Sequence, residues 1–291
     1  MAVGISVVVP SYNPRQEDLE RLYQSLVAQT YGDFEVIIVD DGSDDCSYAL
    51  LDNPRFRVIR RDKNCGPAAC RNAGVEAAAS DAVFFTDTDC ALAPETLAVA
   101  VSLIPHEDAI MGDTVTRVET CFGKAVALLG FPGGGVLGFD RVWRVQPDGY
   151  TNSFSSCNLV FKRAAFNALG RFNETFPVAG GEDTVLARKM IEEGYRIRYS
   201  SEQVVYHVEK SSLTAFIKWQ ITRGRGNYYI RQHVGSVRGY LWLRVWTFKN
   251  SLVKAGPLYA PLVLALILLS VYFQTKGYRL EKRGRRDVDH N

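Results

Sequence analysis

The chain has 291 residues, room for one large domain or two small ones, and at 47% hydrophobic it can bury a sizeable core. Its 34 basic and 32 acidic side chains leave a formal net charge of +2, which excludes the strong basic excess of a general nucleic-acid binder, so no nucleic-acid partner is expected. The six cysteines (Cys46, Cys65, Cys70, Cys90, Cys121 and Cys157) form no CxxC pair and no zinc-type spacing with histidine, and they read as reduced thiols of a cytoplasmic protein.

The opening MAVGISVVVPSYN lacks a basic n-region and a long apolar run, so no signal peptide is expected there. It leads into a β-branched strand, Ile5–Pro10. Asp18–Gln29 follows with Leu19, Leu22 and Leu26 on one helical face. Phe34–Asp40, Phe56–Arg61 and Ala82–Asp87 are three further strand-like runs, and the alanine-rich GPAACRNAGVEAAAS between the last two predicts a helix. Apolar strands alternating with helices predict a parallel α/β sheet covered on both faces. Ligands of such sheets sit beyond the carboxyl ends of the strands, where this chain carries PSYN, DDGSDD and DTDC.

In FFTDTDC, Phe84–Cys90, an apolar run drives into two aspartates one residue apart. On a strand they would share a face and repel. A divalent cation such as Mg²⁺ or Mn²⁺ offsets that repulsion and in turn binds a diphosphate; a solvated turn is the plainer reading of the same letters.

Gly130–Gly138, GFPGGGVLG, is too irregular for a phosphate loop and reads as mobile chain near a site or as a long connection. SSCNLVFKRAAFNALGRFNE predicts a strand and then a helix ended at Gly170. GGEDTVLARKMIEEGY opens another helix: two glycines break the chain, Glu182 and Asp183 fill the first turn, and Val185, Leu186, Met190 and Ile191 form the apolar stripe. A carboxylate at such a start is expected to be held by free backbone N–H groups with a lowered pKa. Asp183 then suits a general base, with an ordinary capping acid as the alternative.

Near the end, Ser236–Gly256 interleaves tryptophan and arginine and reads as interfacial, Pro257–Phe273 carries no charge, and six basic residues lie between Lys276 and Arg286. The uncharged run spans about 26 Å as a helix, slightly short of a ~30 Å hydrocarbon core. A basic tail after it favours a membrane, but a single crossing would put that tail outside, against the positive-inside tendency. A re-entrant or in-plane arrangement avoids the conflict.

Taken in order, ISVVVPSYN, FEVIIVDDGSDD, NCGPAACRNAG, TDTDC, SSCNLVFKRAAFNALGRFNE and GGEDTVLARKM resemble a family 2 glycosyltransferase with the GT-A fold, over roughly residues 4–230. The resemblance implies a Rossmann-like, mostly parallel sheet flanked by helices, followed by a C-terminal amphipathic and membrane-associated helical segment. It divides the chain into a nucleotide-sugar half (1–110), an acceptor half with the base (111–235), an interfacial segment (236–256), a spanning or re-entrant helix (257–273) and a basic tail (274–291). It implies that Tyr12, beside Pro10, packs on the base of a nucleotide-sugar donor, UDP-linked by the family's habit, and that Asp41 reads the base edge, with Asp40 structural. Arg71 is implied near the nucleotide and diphosphate, and Asp87 and Asp89 as the Asp-x-Asp pair that holds Mn²⁺ or Mg²⁺. Asp183 is implied as the general base, oriented with the acceptor by Glu182.

His207 stands where some members place a third metal ligand, with a packing role as the alternative. KWQITRGRGN resembles, with Gly224 in place of tryptophan, a Gln-x-x-Arg-Trp element; its Arg223 and Arg225 are candidate diphosphate clamps or contacts to lipid headgroups. The implied reaction is a metal-assisted, inverting single displacement onto a hydroxyl acceptor, lipid-linked or part of a cell-envelope glycan, at the cytoplasmic face of the membrane. A nucleotidyltransferase of similar fold and a non-catalytic nucleotide-binding subunit are the alternatives. The first lacks its basic glycine-rich loop here, and the second predicts loss of an acid at 87, 89 or 183.

Overall fold

The computed structural model describes residues 4–44, 48–130, 134–176, 179–234 and 238–289. Cys46, part of the GFPGGGVLG loop (131–133) and the boundary near 235 lie outside them. The five described cysteines are free thiols.

The first half folds as its alternation dictates. Strands β1 (Ile5–Ser11), β2 (Phe34–Asp40) and β3 (Phe56–Arg60) run parallel, and β4 (Ala82–Phe85) joins β1 on its other side, also parallel. Helices α1 (Gln16–Val27) and α2 (Pro67–Ala77) make the crossovers. The register sets Val8 opposite both Ile37 and Phe85, so these three point to one face. There they enter a core shared with Val75 of α2, while Val7, Val9, Ile38 and Phe84 bury against Leu19, Leu22 and Leu26 of α1 on the other face. The predicted leucine stripe of α1 is that contact.

The second half departs from a parallel arrangement. The sheet runs β3-β2-β1-β4-β8-β6-β9-β5, with β7 (Tyr150–Thr151) also on β9. Here β5 is Cys90–Leu92, β6 Ala109–Arg117, β8 Leu159–Lys162 and β9 Ile197–Val208. β8 is antiparallel to β4 and β6, and β5 and β7 are antiparallel to β9; only β6 and β9 pair parallel. A bulge at Gly112/Asp113 is plugged by the buried Asn158 amide, which donates to the Asp113 (2.9 Å) and Gln203 (3.0 Å) carbonyls. Helix α3 (Thr96–Leu103) precedes β6, and short α4 (Cys121–Ala127) and α5 (Phe139–Val142) follow it. α6 (Arg163–Ala168) and α7 (Glu182–Glu192) cover the face that carries Val8 and Phe85. The predicted stripe of α7 is half realised: Leu186 and Met190 are buried, whereas Val185 and Ile191 are partly exposed.

Two long helices close the chain, α8 (Leu213–His233) and α9 (Arg238–Asp289). α9 is two helices joined at Gly256, whose φ of 62° breaks the regular turn. A third apolar cluster ties Ala125, Val126 and Leu129 of the α4 region and Phe216 of α8 to Val263, Leu266 and Ile267 of α9. By length and composition Trp242–Gly284 is apolar enough to cross a membrane, with 22% of its most apolar window buried.

Candidate active site

Parallel strands bring their carboxyl ends to one edge, so the polar segments after β1, β2 and β4 meet there. They line a cleft of about 810 Å³ whose far wall is built by the start of α7, the end of β9 and one face of α8. Pro10, Tyr12, Asp41, Arg71, Asp87, Asp89, Glu182, Asp183, His207 and Arg223 all open onto it.

Tyr12 is 50% exposed at the cleft edge, an aromatic surface left uncovered by its own fold. Asp40 is fully buried and accepts from the Ser43 backbone N–H (3.1 Å) and hydroxyl (2.5 Å), the structural role expected of it. Asp41 accepts the backbone N–H groups of Cys65 (2.9 Å) and Gly66 (2.7 Å). It therefore pins the turn that starts α2, a task the sequence reading did not give it, while still facing the cleft.

Arg71 is the strut of the site. Its side chain is buried, with Nη2 donating to Asp87 Oδ1 (2.7 Å) and Nη1 to Glu182 Oε1 (3.1 Å). One guanidinium thus joins the end of β4 to the start of α7. Glu182 Oε2 accepts the Gly180 N–H at 2.9 Å, which fixes the loop before the helix. Gly180 and Gly181 have φ of 125° and 114°, a region that L side chains enter only at a cost, so the double glycine lets the chain turn α7 toward the cleft.

Asp183, next along, accepts the Thr184 N–H at 2.7 Å. Its pKa moves opposite to the expected direction. Burial first and the adjacent Glu182 second push it up to about 6, against the opposing pull of the Thr184 N–H, Arg71 and Arg223. The helix start supplies one short N–H bond, and that is too little to offset a carboxylate neighbour in a crowded cleft. The group remains ionised at neutral pH and is a stronger base than an ordinary carboxylate.

Asp87 and Asp89 do not share a strand face. β4 stops at Phe85, and the turn that follows sends the two carboxylates to different partners. Asp87 goes to Arg71. Asp89 faces His207, with Oδ1 to Nε2 at 3.2 Å, and Lys210, with Oδ2 to Nζ at 3.5 Å. Burial works to raise the Asp89 pKa, but His207 and Lys210 outweigh it and hold the carboxyl below its ordinary value.

The β5–β9 register sets Cys90 opposite His207, so Asp89, Cys90 and His207 present ligand-type atoms within 4.8 Å of one another. His207 Nδ1 lies 2.8 Å from the Val208 carbonyl, which accepts its proton and turns Nε2 toward Asp89. At 3.2 Å the ring nitrogen and the carboxylate oxygen need a proton or a metal cation between them. A carboxylate and an imidazole that converge in this way fit a divalent cation of the Mn²⁺ type.

α8 divides its basic residues. Arg223 faces the cleft and lies over the Trp219 ring, 5.4 Å from its centroid. Arg225 does not line the cleft; its Nε donates to Glu281 of α9 at 2.6 Å. Residues two apart on a helix differ by about 200° in direction, so the pair cannot clamp one ligand together. Sequence reasoning missed Lys210, Trp219 and Thr222, which also line the cleft. For Lys210 the signal was there, a lysine three residues beyond His207 at a strand end.

The profile of the family described as glycosyl transferase family 2 matches residues 6–172. The chain is 24% identical over 293 residues to an N-acetylglucosaminyltransferase of Mesorhizobium japonicum, covering 94% of itself and 67% of that protein. It is 24% identical over 242 residues to an N-acetylglucosaminyltransferase of Sinorhizobium fredii, covering 77% of itself and 57% of that protein, so it spans little more than half the length of this relative. Among solved structures, the mannosyltransferase PcManGT of Pyrobaculum calidifontis, in complex with GDP-Man and Mn²⁺, superposes with a TM-score of 0.60 at 20% identity, over 99% of this chain and 88% of that one. S. aureus TarS 1-349, in complex with UDP, gives 0.53 at 18% identity over 96% and 91%. These likenesses establish the GT-A arrangement of the sheet and its helices.

Proposed function

The chain belongs to glycosyl transferase family 2, and from that membership and the shape of its cleft we propose that it moves a sugar from a UDP-linked donor to a hydroxyl acceptor with inversion. The observation that carries the reading is that Asp89 and Asp183, from distant parts of the chain, open onto one cleft. Arg71 locks the two sides together through Asp87 and Glu182.

The donor's base packs on Tyr12, and the loop pinned by Asp41 borders it. Lys210 and Arg223 face the diphosphate as cationic donors. Asp89 and His207 would hold a divalent cation, Mn²⁺ or Mg²⁺, which when bound neutralises charge on the leaving diphosphate. Asp183 takes the proton from the acceptor hydroxyl as that oxygen bonds to the anomeric carbon. The bond from that carbon to the diphosphate oxygen breaks, and its electron pair leaves with the nucleoside diphosphate. Attack from the face opposite the leaving group inverts the centre, and no protein carboxylate forms a bond to the sugar. A pKa of about 6 suits the task, since Asp183 is ionised at pH 7 and still basic enough to accept the proton.

The acceptor side of the cleft adjoins the apolar core beneath α9. Trp219 lines the cleft and also packs into the cluster that contains Val263, Leu266 and Ile267 of α9. That continuity supports a lipid-linked acceptor handled at the cytoplasmic face of a membrane, where nucleotide-sugars are made. The test is a panel of nucleotide-sugars with Mn²⁺ or Mg²⁺ and lipid extracts as acceptor, reading released nucleoside diphosphate and labelled lipid. D183N should abolish transfer and keep nucleotide binding; transfer at the native rate by that variant would remove Asp183 as the base.

A further inference from the structure

We propose that α9 lies in the plane of the membrane surface and does not cross it, so that the basic end of the chain stays on the same side as the catalytic cleft. The inference rests on the membrane association proposed above and adds its geometry. The stretch after Gly256 is helical without a reversal, which leaves no re-entrant turn, so it can either cross a bilayer or lie along its surface, and the two differ in what may touch its flanks. A crossing helix must be free of polar protein over about 30 Å. An in-plane helix keeps one face on its own domain along its whole length.

α9 shows the second pattern. Thr247, Ser251, Ala255, Val263, Leu266, Ile267 and Ser270 form one buried stripe that runs through both of its halves. Polar contacts to the catalytic domain continue from end to end. The Thr247 hydroxyl donates to the Val142 carbonyl at 3.1 Å, Lys124 Nζ sits 4.9 Å from the Tyr259 ring centroid, and Gln274 Nε2 donates to Gln220 at 2.6 Å. Further on, Glu281 accepts from Arg225 at 2.6 Å and from the Tyr229 hydroxyl at 2.5 Å. From Tyr259 to Gln274 a helix rises about 22 Å, most of the thickness of a hydrocarbon core. The same domain holds both ends of that stretch, at Lys124 and at Gln220.

Between those ends α8 runs alongside α9 at backbone contact. A methyl group added at Gly224 would strike the Gln274 carbonyl, and one at Gly277 the Ile221 carbonyl. A crossing by the uncharged run Pro257–Phe273 would carry the adjoining stretch of α8 between Phe216 and Gln220, with Lys218, into the hydrocarbon, where a charged residue costs about 2.5–3.5 kcal/mol even on the lenient scale.

The opposite face of α9 has the chemistry of a lipid surface. Leu258 (84% exposed), Leu268 (64%) and Tyr272 (63%) stand out from the domain, with Leu262 and Leu264 between them. Exposed Lys249 and Lys254 lie before this apolar strip, and Lys276, Arg279, Lys282 and Arg283 lie after it. An apolar strip with basic residues at both ends matches a bilayer surface bearing anionic headgroups. The positive-inside conflict disappears, because the tail never leaves the cytoplasmic side.

The full chain, with a C-terminal epitope tag, is expressed in bacterial cells and protease is added to intact spheroplasts and to inverted membrane vesicles. The in-plane arrangement predicts a tag protected in spheroplasts and cleaved in inverted vesicles together with the catalytic domain. A tag cleaved in spheroplasts while the domain is protected would overturn the proposal and leave membrane association standing. Native protein found in the soluble fraction, as a monomer or as a dimer joined through this face, would overturn both. The triple variant L258S/L262S/L268S alters only exposed side chains. It should lower the membrane-bound fraction at least tenfold, with UDP binding and the unfolding midpoint unchanged; undiminished sedimentation of this variant with membranes would also overturn the proposal.

Discussion

The raised pKa of Asp183 makes a prediction that a merely structural acid would not. Its carboxyl ionises near 6 in the folded chain against 3.8 when free of the fold. The group therefore binds its proton more tightly folded than unfolded, and ionisation works against folding. Below pH 3.8 both states carry the proton and there is no penalty. The penalty grows between 3.8 and about 6 and is fully present above that. Each pKa unit is worth about 1.4 kcal/mol, so the ceiling is about 3 kcal/mol. Water reaches the partly exposed carboxylate, and screening brings the expected figure to roughly 1–2 kcal/mol. D183N removes the charge at nearly constant shape. It should therefore raise the unfolding free energy by that amount at pH 7.5, lose the advantage as the pH falls to 4, and lack transferase activity. Urea unfolding of both proteins at the two pH values, in the presence of a chelator, measures it. Equal or lower stability of D183N at pH 7.5 would refute the claim that the cleft strains this carboxylate.

The same pKa predicts that transfer falls about tenfold per unit of pH below 6, since the base must be ionised to accept a proton; an initial-rate profile under saturating donor checks the slope. R71M strands Glu182 as a buried, unpaired charge and should cost about 3–5 kcal/mol in denaturant unfolding, with loss of activity. K210M should weaken nucleoside-diphosphate binding about tenfold by calorimetry and leave Mn²⁺ affinity no lower, because Lys210 shares Asp89 with the cation site. G226A forces a methyl group against the Gly180 carbonyl and should destabilise by about 1–3 kcal/mol while lowering transfer, since that carbonyl belongs to the loop that carries Glu182 and Asp183.

The parallel half of the sheet was legible because its information is local. Four apolar runs with helical spacing between them leave one way to bury both faces, and that arrangement puts PSYN, DDGSDD and DTDC at a common edge. The second half was less legible because antiparallel β8, β5 and β7 depend on pairings between distant strands. Residue identities at the site were readable from motif order; of three features of its physics that the motifs do not give, two depend on distant contacts. Arg71 and Glu182 are 111 positions apart, so nothing local announces that one guanidinium bridges them. The direction of the Asp183 shift depends on burial and on Glu182, which outweigh the helix start that the letters reveal. The third, the facing of Arg223 and Arg225, was readable in principle: helical geometry alone separates residues two apart.

The puzzle of two acids closing a buried run finds its answer in charge pairing. A strand end positions Asp87 and Asp89 accurately but would leave them repelling if the chain stayed extended. Turning after Phe85 separates them, and each then meets its own cation from another element. Arg71 of α2 takes Asp87, while His207 and Lys210 at the end of β9 take Asp89. The partners differ in kind, and the difference has a consequence for function. Arg71 is buried and doubly bonded, so its pair is permanent and serves to hold α7 in place. Lys210 is partly exposed and reaches Asp89 with a single long contact, and the His207 imidazole stands beside it at 3.2 Å. On the proposed function, a divalent cation would displace the second arrangement and leave the Arg71 pair in place. The two aspartates, alike in sequence, thus have partners that differ in how easily they can be exchanged.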